Sequence, residues 1–337
     1  MAFSTRLKSL GIDIYMVLLI GMVVLASLLP ARGFGAEVVS KASYFAVMLL
    51  FFLYGAKLNT SAIVAGISNW RLQLLVFAFT FIAFPLLGLL ASTALGSVLQ
   101  PEIVMGLLYL SLLPSTVQSS IAFTSIAGGN VPAAVCAASV SNLLGVFITP
   151  ALTALLLHTG GHGVDASAML SIGVQILLPF FLGQMARPLI GPWVQKHKLL
   201  TSIVDRGSIL LIVYSAFSAG MVAGIWSQVD WVAILILMLI SSLLLAVVMI
   251  GTVYVGKACG LSQEDRLVLL FCGSKKSLAS GLPMANILFA GQAVSLIILP
   301  VMIFHQIQLL VCAVIAQRIA NGRKAMVARV EPKASAA

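Results

Sequence analysis

Acidic side chains are scarce in this chain. There are nine in 337 residues (Asp13, Glu37, Glu102, Asp165, Asp205, Asp230, Glu264, Asp265 and Glu331), and none lies deep inside a long apolar run. A carrier that binds Na⁺ or H⁺ usually does so with an embedded carboxylate, because a hard cation needs oxygen ligands and a negative charge to offset its dehydration. That device is missing. Charge of either sign is rare at 8%, against 61% hydrophobic residues and a mean hydropathy of +1.13, which excludes an ordinary soluble domain. The short alternating segments of a membrane β-barrel are also missing. Only four cysteines occur (Cys136, Cys259, Cys272 and Cys312), without metal-ligand spacing, and free thiols are expected. His158 and His162 have helical metal spacing, but Gly160 and Gly161 between them argue against a metal site.

What is present is a series of apolar runs long enough to cross a bilayer as helices. Ten are read, at 12–30, 42–58, 72–97, 103–127, 131–157, 168–186, 207–226, 231–254, 266–290 and 293–317. With the N-terminus inside, fifteen of the nineteen Lys and Arg fall in cytoplasmic segments and only Arg32 and Lys41 in outer loops. Both termini are therefore expected in the cytoplasm of a multi-pass protein of a plasma or bacterial inner membrane. The formal charge of +10 then describes an inner surface facing anionic lipid, and no nucleic-acid partner is expected. Trp70, Trp193, Trp226 and Trp231 fall at or beyond span ends, where indole rings sit at the headgroups. Arg6 and Lys8 before an apolar run, with Gly35-Ala36 after it, have the outline of a secretory signal; the length of the run and the symmetry below favour a span. The connector 186–206 is read as an inner loop, either solvated or lying on lipid through Trp193, Leu199, Leu200 and Ile203.

The remaining two basic residues, Lys275 and Lys276, stand inside the ninth run, in Phe271-Cys-Gly-Ser-Lys-Lys-Ser-Leu-Ala-Ser-Gly-Leu-Pro283. A lysine at the centre of a span costs about 2.5 to 3.5 kcal/mol and marks a functional site by default. The glycines, serines and proline around the pair predict a broken helix, which at membrane depth must be covered by protein or line a cavity. The fourth run breaks in the same way at Pro114-Ser-Thr-Val-Gln-Ser-Ser120. Pairing the landmarks of the two halves gives a five-helix repeat over 10–157, an inverted second one over 168–318, and a cytoplasmic tail over 319–337. Secondary transporters bind at midplane where two such discontinuous helices meet.

The fold expected is thus all-α: ten transmembrane helices as two inverted repeats, broken helices four and nine crossing in a core domain beside a panel domain. Lys275 is assigned to the site and Lys276 to a supporting or interfacial role, since neighbours on a helix point about 100 degrees apart. Gln118, Ser119 and Ser120 in the first break, and Ser274 and Ser277 beside the lysines, complete the crossing. Thr80, Asn142 and His305 are further candidates, each with a plain packing alternative. Pro85 in span three reads as a packing kink. A deep positive charge among hydroxyls and helix N-termini points to an organic anion as substrate, or to a built-in cation in place of Na⁺. Two other readings stay open: a membrane ligand sensor without flux, and hydrolysis by Ser274 with Lys275 as base. Membrane lipids are the other expected partners, no cofactor is required, and the sequence does not indicate an oligomeric state.

Two motifs carry a resemblance. Leu113-Pro-Ser-Thr-Val-Gln-Ser-Ser120, and Asn130-Val with Ser139-Val-Ser, Thr149-Pro150 and His305-Gln306, resemble the bile acid:sodium symporter family over nearly all of residues 10–320. Phe271-Cys-Gly-Ser-Lys-Lys-Ser-Leu278 is similar to a divergent branch of it. The resemblance implies the ten-helix, two-domain architecture and organic-anion transport. It also implies that Ser119 and Ser120 match a pair that helps to coordinate Na⁺. Further family sodium ligands fall here on Ala134, Ala138, Phe271 and Lys275, and these substitutions leave coupling to Na⁺, to H⁺ or to neither open.

Overall fold

The computed structural model describes residues 14–57, 69–157, 173–224 and 229–334, and among these there is helix and no strand. In chain order come α1 (Ile14–Leu28), α2 (Gly33–Lys57) and α3 (Trp70–Ala78), which passes through a π-helical turn (Phe79–Ala83) into α4 (Phe84–Leu95). Then follow α5 (Pro101–Leu112), α6 (Gln118–Ile126) and α7 (Val131–Leu156). A second π turn (Gly173–Leu177) leads into α8 (Leu178–Lys196), followed by α9 (Lys198–Val222) and α10 (Trp231–Ala258). The series ends with α11 (Gln263–Gly273), α12 (Leu278–Leu288) and α13 (Val294–Ala334). Among the described residues seven helical stretches are long and apolar enough to cross a membrane, so the chain is a multi-pass helical membrane protein. The helices beside the two breaks, α5, α6, α11 and α12, have 12, 9, 11 and 11 residues, each too short to cross alone.

Helix boundaries depart from the hydropathy reading in three places. The expected inner loop 186–206 is helical nearly throughout: α8 runs through Pro188 and Pro192 to Lys196, and only His197 (φ −101, ψ 51) separates it from α9. Hydropathy reports what lipid tolerates, whereas Arg, Lys and Gln propagate a helix well. Each proline removes a single backbone donor, and Trp193, Leu199, Leu200 and Ile203 are exposed as a lipid-facing reading requires. Secondly, α2 begins at Gly33 instead of 42, with Glu37 and Lys41 on its exposed surface. Thirdly, α13 continues through the expected tail to Ala334. At about 1.5 Å per residue its 41 residues reach some 60 Å, twice the hydrocarbon thickness of a bilayer. His158, His162 and Trp226 lie outside the described residues.

Packing divides the helices into two groups. The first is α1, α2, α8 and α9, with α2 against α8 the most extensive contact of the chain. The second is α3–α7 with α10–α13, tied by α5 on α13, α4 on α5, and α10 on both α11 and α13. Helix α9 meets α12 and α13 across the divide.

Without a hydrophobic driving force between helices in lipid, close backbone approach at small residues supplies the packing. The α2/α8 crossing is built that way and is reciprocal. A Cβ on Gly55 would overlap the carbonyl of Phe180, and one on Gly183 would overlap the carbonyl of Phe52. Gly183→Ala is therefore expected to destabilise the protein by about 1–3 kcal/mol in thermal melts. Gly21→Ala in α1, which meets nothing within 4 Å, should be neutral or slightly stabilising.

Candidate functional site

The two breaks arise from local sequence. Pro114 has no N–H to donate and forces the residue before it out of helical geometry, so α5 stops and Leu113 is extended (φ −71, ψ 152). Helix α11 stops at Gly273, and α12 restarts behind Ser277, whose Oγ accepts from the Ser280 N–H at 3.2 Å. Each break satisfies the other. The Ser277 N–H donates to the Pro114 carbonyl at 2.8 Å. Ser115 Oγ donates to the Cys272 carbonyl at 2.6 Å, and Ser120 Oγ to that of Phe271 at 3.0 Å. Helix α7 stitches the crossing from the side. Ser141 Oγ accepts the Ser115 N–H at 3.0 Å, and Asn142 Nδ2 donates to the Ser115 carbonyl at 2.7 Å. Asn142 Oδ1 accepts from Ser280 Oγ at 2.8 Å.

Lys275 and Lys276 are both buried, at 0% and 1% exposure, and point to different surroundings. Lys276 Nζ donates to the carbonyls of Thr80, Ser111 and Leu113 at 2.7, 2.7 and 2.8 Å, with the Phe84 ring centre 4.3 Å away. All three donors of the ammonium are used. Among the described residues Lys275 Nζ has a single hydrogen-bond partner, Ser119 Oγ at 3.5 Å, at the outer limit of such a bond. The rings of Phe123 and Phe271 lie 4.3 and 5.6 Å from Lys275 Nζ.

Of the residues singled out in the sequence, Ser119, Ser120, Ser277 and Asn142 lie in the crossing with the lysines. Gln118 opens α6 with its side chain exposed. Thr80 takes part through its carbonyl, which the π turn turns toward Lys276, while its buried hydroxyl has no partner. Ser274 Oγ donates to the Leu270 carbonyl at 2.5 Å, closing the end of α11. Pro85 follows the π turn, so the distortion there supplies a ligand to Lys276 in addition to shaping the helix.

The residue that sequence reasoning passed over is Gln308. Its Oε1 accepts the Lys276 N–H at 2.9 Å and its Nε2 donates to the Lys276 carbonyl at 2.8 Å, so one amide brackets both backbone groups of a residue in the break. The same Nε2 lies 2.9 Å from His305 Nδ1, and since an amide nitrogen can only donate, Nδ1 accepts. His305 thus orients Gln308. The available signal was an amide one helical turn beyond His305 in an apolar span.

A sequence profile of the SBF-like CPA transporter family matches residues 13–321. The chain is 52% identical over 314 residues to "Uncharacterized protein PA2026" of Pseudomonas aeruginosa, covering 92% of this chain and 94% of that one. It is 46% identical over 326 residues to "Putative symporter YfeH" of Escherichia coli, covering 97% and 98%. It is 30% identical over 284 residues to "Sodium/bile acid cotransporter 7" of Rattus norvegicus, covering 82% of each chain.

The bracket on Lys276 and the neighbouring Gln306 give contrasting expectations. Gln308→Leu leaves a backbone N–H and a carbonyl unpaired in a buried break and should cost about 2–4 kcal/mol, read as a lower melting midpoint. Gln306, whose buried Oε1 has no partner among the described residues, should tolerate the same change or gain stability.

Proposed function

The chain belongs to the SBF-like CPA transporter family, and on that premise we propose that this membrane transporter is a secondary carrier of an amphipathic organic anion, a carboxylate of bile-acid type or smaller, working without a bound Na⁺. The observation that carries the reading is the condition of Lys275. Its ammonium has three donors, one long hydroxyl contact, and no carboxylate beside it among the described residues. A buried cation in that state is stabilised by an anion that reaches it. Ser119 lies in the first turn of α6, where the helix dipole adds positive potential, and Phe123 and Phe271 present apolar surface to a carbon skeleton. Because Lys275 is closed off on all sides, an anion gains it only when the surrounding helices part, as a carrier's helices do in each cycle.

The architecture we propose for this movement is ten spans in two inverted five-helix repeats. Support comes from corresponding starts about 160 residues apart: Trp70 with Trp231, Gln118 with Leu278, and Val131 with Val294. In this arrangement α1, α2, α8 and α9 form the panel, and the two broken pairs cross in the core. The repeats occupy 10–157 and 168–318, and the segment beyond them continues α13. Both termini are cytoplasmic on the distribution of Lys and Arg. Ala134, Ala138 and Phe271 bring no side-chain oxygen to the crossing, which supports a cycle without Na⁺.

Lys275→Gln, reconstituted in proteoliposomes and assayed by counterflow against a panel of labelled carboxylates including taurocholate, should lose at least about tenfold of the wild-type rate. Its melting midpoint should stay level or rise, because an unpaired buried charge has been removed. Full counterflow by this variant would overturn the assignment.

A further inference from the structure

The surroundings of Lys276 have the make-up of a cation site. Thr80, Ser111 and Leu113 aim three backbone carbonyls at one point, and the face of Phe84 closes the remaining side. Each oxygen is there because a helix has released it. The π turn Phe79–Ala83 frees the Thr80 carbonyl, and the end of α5 at Leu112 frees those of Ser111 and Leu113. Converging carbonyls and a ring face attract monovalent cations and repel anions. The distances of 2.7 to 2.8 Å are those of charge-assisted N–H···O bonds, and three acceptors match the three donors of a primary ammonium.

We infer that the carbonyls of Thr80, Ser111 and Leu113 form a monovalent-cation site that the chain fills with its own ammonium, delivered by Lys276 from the opposite break. The resident cation locks the π turn, the end of α5 and the second break into one unit, in the way that a bound metal ion would, and its tether keeps the site filled at any ion concentration. The cage exists whatever Lys275 binds, so its test does not involve transport.

Lys276→Ala removes Cγ, Cδ, Cε and Nζ, the outline of propylammonium, and leaves three unpaired carbonyls in a dry interior. Its melting midpoint in detergent should fall by about 5 °C or more. Propylammonium chloride should restore the midpoint in a saturable manner, while propanol and tetramethylammonium chloride, lacking the charge or the N–H donors, should not. Lys276→Met, which fills the space without charge, and the wild type should show no response to propylammonium. A Lys276→Ala protein that melts like the wild type, or responds equally to propanol, or does not respond to propylammonium, overturns the inference. Should Lys276→Ala fail to fold unaided, recovery of monodisperse protein from membranes solubilised with propylammonium but not with propanol supports the site. Failure with both counts against it.

Discussion

Breaking a helix inside a bilayer releases carbonyls that have no water to bond, each of which costs a few kcal/mol if left alone. Here three such oxygens, from two different elements, close on the ammonium of Lys276. The cost of burying a charge and the cost of exposing the backbone thereby offset each other. Much of the crossing depends on that pairing. It lets α5 end among the packed helices and gives the π turn between α3 and α4 a role. It also fixes residue 276, so that the Gln308 bracket and the Ser277 cap have something rigid to hold.

With Lys276 held in this way, Lys275 is turned toward α6 and left almost without partners. The two adjacent lysines have the same side chain and differ in what their surroundings leave undone. Transport by a member of this family requires a site that is stable when empty and still attracts its substrate. In the function proposed here, the satisfied cation holds the crossing and the other offers charge to an anion. The hydroxyls of Ser115 and Ser120 take up the carbonyls at the end of α11, so the opposing break is closed without any ion.

Much of this was legible in the sequence, because the costs that shape the structure are paid in residue types. Long apolar runs pointed to a multi-pass helical protein, and two lysines among glycines and serines marked the second break. Pro114 marked the first. Helical geometry predicted that two adjacent lysines would face different ways; they do, although both stand in the non-helical break between α11 and α12. What hydropathy could not register was helix beyond the lipid, which is why α8, α9 and α13 extend past the expected ends through Arg, Lys and Gln. Backbone partners were also invisible: Thr80 reads as a hydroxyl in the sequence and acts through its carbonyl, and Gln308 serves a neighbour 32 residues away in the chain. At one end of the second group, Asp265 accepts from Asn69 and Asn130, a contact between three separate segments that no local pattern announces.

Under the function proposed here, ammonium groups of the chain itself stand where a carrier of another kind would bind sodium. The most direct measurement is the melting curve of the purified wild-type protein in NaCl and in choline chloride at equal ionic strength, over a wide concentration range. Any cation that binds the folded state raises its stability with concentration. Superimposable curves in the two salts are the result predicted here; a saturable upward shift specific to Na⁺ would contradict it.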